Sequence, residues 1–234
     1  SWELPPKWQI VATANPEVGD YSVTPMDGAM LTRMLHTTLK FDAKIWAEWA
    51  YSAGVDERGI SFVLTYPELV NSERTTPRSL TQFFEQIASI EDLKGNLQLV
   101  EALALSSLDE VTVSSFIAFV NDELTQLIDP EEILEAEDFK SISKKIKDIS
   151  VDDSGAKRVD RLSTMCSRLY LKLTSEDYNP EKNHSENLVQ FLLLDTIPND
   201  LLMSLYMDLQ KHGGDEIKEM TRDKKLASKL LSTL

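Results

Sequence analysis

Residues 8–33, WQIVATANPEVGDYSVTPMDGAMLTR, decide how the rest of the chain is read. The run Ile10-Val11-Ala12-Thr13-Ala14 is short, apolar and rich in β-branched side chains, and Asn15-Pro16 closes it with a turn signal. That pattern predicts a short buried strand. A polar residue at the end of such a strand lies on the carboxyl edge of a sheet, where open α/β folds bind their ligands. Further on, Thr24 as N-cap, Pro25 at the first helical position and Asp27 in the first turn predict a helix. Arg33 falls at its end. His36-Thr37-Thr38-Leu39 reads as a second β-type run. Two short strands are not stable by themselves, because a sheet needs partners. The expectation is therefore a strand-helix-strand remnant whose remaining sheet belongs to a longer protein, and the start at Ser1-Trp2-Glu3 without Met agrees with a fragment.

Beyond residue 40 the pattern becomes helical. A helix is predicted from Phe41 to Ala53, capped by Asp42, with Ile45, Trp46 and Trp49 sharing one face. A second short helix is predicted over 56–65. Thr76-Pro77-Arg78 starts another, with Thr76 capping, Pro77 at the first helical position and Arg78 projecting from the first turn. Two more are predicted over 93–105 and 109–128. The second carries Val113, Phe116, Ile117, Val120, Leu124 and Leu127 at three-four spacing. Asp129-Pro130 closes this unit. Next come an acidic cluster (Glu131, Glu132, Glu135, Glu137, Asp138), read as a solvated face, and a basic helix over 140–149. Residues 151–155 read as a linker. The helix over 160–173 has Leu162, Met165, Leu169 and Leu173 on one side, and Tyr178-Asn179-Pro180 breaks the helical pattern. Residues 187–195 and 198–210 predict an antiparallel helix pair, and a charged helix is predicted from about Thr221 to the end. The organisation expected is 1–40, 41–135 and 136–234.

Charge and composition remove several function classes. The net charge is −15, from 24 Lys and Arg against 39 Asp and Glu, so direct nucleic-acid binding is not expected. One cysteine, Cys166, forms no internal disulfide and reads as a small core residue. No apolar run reaches membrane-spanning length, no signal peptide is seen, and a cytoplasmic protein is expected. No Cys or His pair has zinc spacing, so no metal ligands are assigned. Gly54-Val55-Asp56-Glu57-Arg58-Gly59-Ile60-Ser61 lacks the Lys that a phosphate-binding loop needs and reads as a turn. Leu192-Leu193-Leu194-Asp195 imitates a Mg-binding strand, but its surroundings are helical, and it reads as core.

Ala12-Thr13-Ala14-Asn15-Pro16 and Met26-Asp27-Gly28-Ala29-Met30-Leu31-Thr32-Arg33 together resemble the second half of an AAA+ ATPase core, most closely the MoxR-like branch. The resemblance implies that Asn15 is sensor 1, positioning the water that attacks the γ-phosphate. It implies that Arg33 is the arginine finger donated to the neighbouring subunit's nucleotide. Met34 departs from the Phe that the family usually has after the finger. Thr76-Pro77-Arg78 resembles the Ser/Thr-Pro-Arg element of MoxR-like lids, which makes Arg78 sensor 2, a nucleotide-binding residue. The fold implied is mainly α: a helical lid-type bundle plus further helices, preceded by the remnant of an αβα ATPase core. ATP and Mg are expected in the parent, which works as a homo-oligomer, a hexameric ring, on an unidentified partner protein. The fragment itself, without Walker A and Walker B, is expected to bind no cofactor and to be inactive. The other class left open is a non-catalytic helical module for protein interaction or assembly.

Overall fold

The computed structural model describes residues 3–14, 27–70, 72–124, 127–152 and 154–231. The chain divides into two units, 1–40 and 41–234.

In the first unit every described residue is exposed. Among the described residues its one regular element is α1, Gly28–Leu31, capped by the Asp27 carboxylate, which accepts from the Ala29 N–H at 3.0 Å. The helix thus starts at Asp27, three residues later than Thr24 as cap would have it; Thr24 and Pro25 lie outside the described residues. The two expected strands are not found among the described residues: 10–14 and 36–39 carry no regular structure. Ile10 and Val11 are 72% and 85% exposed and Leu39 90%. The physical reason is the one that makes isolated strands unstable. β-branched side chains favour a sheet only when neighbouring strands satisfy the backbone and cover the side chains.

Among the described residues the second unit has helices as its regular elements, apart from one isolated antiparallel bridge between Val151 and Lys157. It contains α2 (Ala43–Ser52), α3 (Glu57–Thr65), α4 (Pro77–Ile87), α5 (Leu97–Ser107), α6 (Glu110–Ala118), α7 (Pro130–Leu134), α8 (Phe139–Ile149), α9 (Val159–Thr174), α10 (His184–Leu192), α11 (Asn199–His212), α12 (Asp215–Met220) and α13 (Lys224–Leu231). A 3₁₀ turn spans Pro67–Leu69, and a π turn, Phe119–Glu123, extends α6.

Two packing centres hold it. The first is aromatic. In α4 Leu80, Phe83, Phe84 and Ile87 recur at helical spacing and are fully buried. Phe116 of α6 meets Phe83 and Phe62 edge-to-face, with ring centroids 5.0 and 5.1 Å apart, and Phe119 joins Phe62 at 5.6 Å. The offset quadrupoles add attraction to the area buried. α3 lies close on α4 because Gly59 has no side chain: a Cβ there would meet the Phe84 ring at 2.4 Å. The second centre is α9, which packs on α2, α3, α7 and α11. Leu162, Met165, Leu169 and Leu173 form its buried side as expected. Thr65 of α3 and Thr164 of α9 satisfy one another's buried hydroxyls at 3.0 Å. Residues 41–135 and 136–234 therefore share one hydrophobic core.

Some local expectations change. In α2 the buried face is Trp46, Ala47 and Ala50, while Ile45 and Trp49 are 67% and 52% exposed. The two alanines let α3 and α9 approach closely, and this rotates the other apolar residues outward. Where a linker is expected over 151–155, the described residues are held locally: Asp152 accepts from the Ser154 and Ala156 amides, and Gly155 sits at φ 81°. α10 packs on α7 and α12 while α11 packs on α9, so the two are not principal partners. The charged helix expected from about Thr221 is α13, and the short α12 that precedes it is not among the expected helices.

Candidate functional site

Asn15 lies outside the described residues. Arg33 follows α1, exposed; one guanidinium nitrogen donates to the Ala29 carbonyl at 2.7 Å, one turn back. The rest of its planar fork is uncommitted among the described residues.

Arg78 is built as its local sequence predicts. Thr76 is the N-cap of α4, and its hydroxyl accepts from the Ser79 N–H at 3.2 Å. The Ser79 hydroxyl accepts the Thr76 N–H at 2.9 Å, closing a capping box, and donates to the Arg74 carbonyl at 2.6 Å. Pro77 occupies the first turn, where its missing N–H costs nothing. Arg78 is exposed and makes no hydrogen bond or ion pair with the described residues. The other described arginines of this unit differ. Arg58 chelates Asp56 and donates to the Ile87, Ile90 and Glu91 carbonyls at the end of α4. Arg74 donates to the Leu105 and Ser106 carbonyls, Arg168 pairs with Asp129 at 2.6 Å, and Arg222 pairs with Glu219. Arg158 pairs with Asp160, and Arg161 is buried. Arg78 is thus the one exposed arginine among the described residues that nothing in the fold employs.

The loop before Arg78 is held by residues that local patterns do not mark. Asp109 occupies the N-cap position of α6, yet its side chain makes no cap to that helix. Its Oδ2 accepts from the Ser72 hydroxyl, from the Thr75 N–H at 2.9 Å and from the Arg74 N–H at 3.3 Å. Thr75, fully buried, accepts the Asp109 N–H at 3.2 Å and donates to the Thr112 hydroxyl at 2.9 Å. Desolvation pushes the Asp109 carboxyl up, but the hydrogen bonds from Ser72, Thr75 and Arg74 outweigh it and hold the carboxyl below its usual range. Asp109 in sequence looks like an ordinary helix cap; that its side chain turns away to a loop more than thirty residues earlier is a tertiary fact.

Other side chains with reactive or charged groups are structural. Cys166 is buried, and burial pushes its thiol up to about 12, so it carries no reactive thiolate near neutral pH. His184 is buried, stacks on Tyr178 and takes a hydrogen bond at Nδ1 from the Glu181 N–H at 3.2 Å. The acidic cluster is more tied than a solvated face would be: Glu131 pairs with Lys172 at 2.5 Å, Glu132 pairs with Lys145, and Asp138 caps α8. Asp195 faces Lys229 after the end of α10, which removes the strand that its Mg-binding imitation would need. No group of three or more His, Cys, Asp or Glu among the described residues is placed to hold a metal ion. None of the described helices is long and apolar enough to cross a membrane.

Comparison with protein-family models, with curated proteins and with solved structures found no match.

Proposed function

We propose that this chain is the sensor and lid portion of a MoxR-like AAA+ ATPase, a cytoplasmic, ring-forming motor that couples ATP hydrolysis to the remodelling or activation of a partner protein. In this reading 1–40 is the end of the αβα core, bringing Asn15 as sensor 1 and Arg33 as the arginine finger. Arg78 is sensor 2 on the helical lid. ATP and Mg bind to the phosphate cradle and acid of the preceding half, which this chain lacks. Positioning and charge neutralisation supply most of phosphoryl-transfer catalysis, so the chain alone is inactive.

The observation that carries the reading is Arg78. A planar, permanently charged fork suits phosphate oxygens. Here it projects from a proline-started, doubly capped helix and is left unused by its own fold. Sequencing the gene upstream of the Ser1 codon tests the reading. The same open reading frame is expected to encode a Walker A and a Walker B within about 150 residues, one domain length. A frame without either overturns it.

A second reading, a non-catalytic helical interaction module, is favoured by the outer faces of α5 and α6. Leu99 and Leu105 are 51% and 44% exposed there, and Val111 68%. An upstream frame without Walker motifs leaves this reading in place.

A further inference from the structure

The structure assigns to Asp109 the role of positioning Arg78: through the 72–76 loop it clamps the start of α4 to the α5–α6 corner, so that this corner sets the direction from which the guanidinium approaches phosphate. The inference rests on Arg78 acting as the nucleotide sensor.

Three observations converge. First, one carboxylate oxygen gathers three donors from the loop, the Ser72 hydroxyl and the Arg74 and Thr75 amides. Hydrogen bonds to an ionised acceptor are the stronger kind. Second, the tie is reciprocal and partly dry. Asp109 returns its own N–H to the Thr75 hydroxyl, which in turn donates to Thr112, and both threonines are buried. Arg74 adds a parallel stitch to the Leu105 and Ser106 carbonyls, the otherwise open end of α5. Third, the clamp is joined to the first turn of α4 without slack. Ser79 donates to the Arg74 carbonyl while accepting from Thr76, so the loop and the turn that carries Arg78 move as one piece. A side chain that meets phosphate has to be aimed before the ligand arrives, since ordering it on binding costs affinity. What the fold holds here is the backbone of Arg78, through the loop before it and the capped first turn of α4. Asp109 gives up the ordinary capping of its own helix to do this.

The test has two arms. On this chain, amide hydrogen exchange is compared among wild type, Asp109→Ala, Thr75→Val and Thr75→Ser. Asp109→Ala is expected to speed exchange at Arg74 and Thr75 about tenfold or more, the loss of a charge-assisted bond. The amides of 81–87 in α4 are expected to stay as slow as in wild type. Thr75→Val, which keeps the shape and removes the hydroxyl, is expected to loosen the same loop, and Thr75→Ser to restore it. Should Asp109→Ala unfold the chain, the Thr75 pair carries the comparison. Unchanged exchange in the loop overturns the clamp. In the ATPase that carries this chain behind its phosphate-binding half, turnover is measured for Asp109→Ala, Arg78→Ala and the double variant. Both single variants are expected to slow turnover, and the double is expected to be no slower than Arg78→Ala alone, because Asp109 acts through Arg78. Losses that multiply overturn the positioning role. Wild-type turnover in Arg78→Ala overturns the sensor reading itself, and the exchange arm then tells separately whether the loop clamp is real.

Discussion

Residues 3–14 and 27–40 bury none of their side chains, while six phenylalanines of the second unit, Phe62, Phe83, Phe84, Phe116, Phe119 and Phe191, are fully buried. Both regions are apolar enough to want a core. Trp8, Ile10, Val11, Leu35 and Leu39 compare well in hydrophobicity with what α3 and α4 bury. The difference lies in what each element needs from its neighbours. An amphipathic helix satisfies its own backbone except at its ends, and asks otherwise only for another face to pack against. A strand asks for hydrogen-bonding partners on its edges as well as cover on its faces. The helical unit supplies its helices with the faces they pack against. The first unit has strand-forming residues and no described strand to pair them with.

This contrast breaks most readily at the aromatic centre. Phe116→Ala removes the ring that both Phe83 and Phe62 meet at about right angles. It is expected to destabilise the helical unit by about 3–5 kcal/mol, read as a shift of the urea midpoint. A cost below about 1 kcal/mol would mean that the centre is not what holds this unit.

Acid is expected to act on the helical unit more gently. Hydrogen bonding from Arg158 holds Asp160 below its usual range. Asp109 and Glu131 are pushed up by desolvation but are carried below their usual range by their hydrogen-bonding partners. A carboxyl whose folded-state pKa is depressed contributes all its stability above its unfolded value and loses it as pH falls through the folded one. Stability is therefore expected to be level near neutrality, and to decline once pH drops below the ordinary values of 4.5 for Glu131 and 3.8 for the two aspartates. Thermal melts across pH 7 to 2 check this; a decline that sets in between pH 7 and 5 contradicts it.

The smallest effect is expected where the comparison is sharpest. A chain starting at Phe41 is expected to melt within about 2 °C of the longer one, because the second unit is closed around its own core. A drop of 10 °C or more would show that 1–40 supports the helical unit.

The legible parts of the sequence were those with local causes. Thr76-Pro77-Arg78 specifies its helix start by capping chemistry alone, and the structure has that start. The Leu162, Met165, Leu169 and Leu173 stripe needs only the period of the helix, and it is buried. Elsewhere the decisive partner lay far along the chain. Ile45, Trp46 and Trp49 match helical spacing equally well, and only the packing of α3 and α9 decides that Trp46 turns inward. Nothing near Asp109 says that its carboxylate serves residues 72–75 rather than its own helix. Ile10-Val11-Ala12 carries a strand propensity that is real but conditional on neighbouring strands. The roles proposed for Asn15, Arg33 and Arg78 come from a resemblance in motif order.

Arg33 offers the most direct test. In the ATPase proposed to carry this chain, Arg33 as a finger acts on the neighbouring subunit's nucleotide, so its effect is in trans. Arg33→Ala is expected to leave folding and nucleotide binding intact and to lower turnover by a factor of about 10³ or more, with Arg33→Lys rescuing little because Lys lacks the fork. Arg33→Ala subunits keep a sound phosphate cradle, and cradle-defective subunits keep a sound finger. Mixed rings of the two are expected to recover activity that neither has alone, because some interfaces then pair a good finger with a good cradle. Mixed rings that demonstrably form and stay inactive would contradict the account.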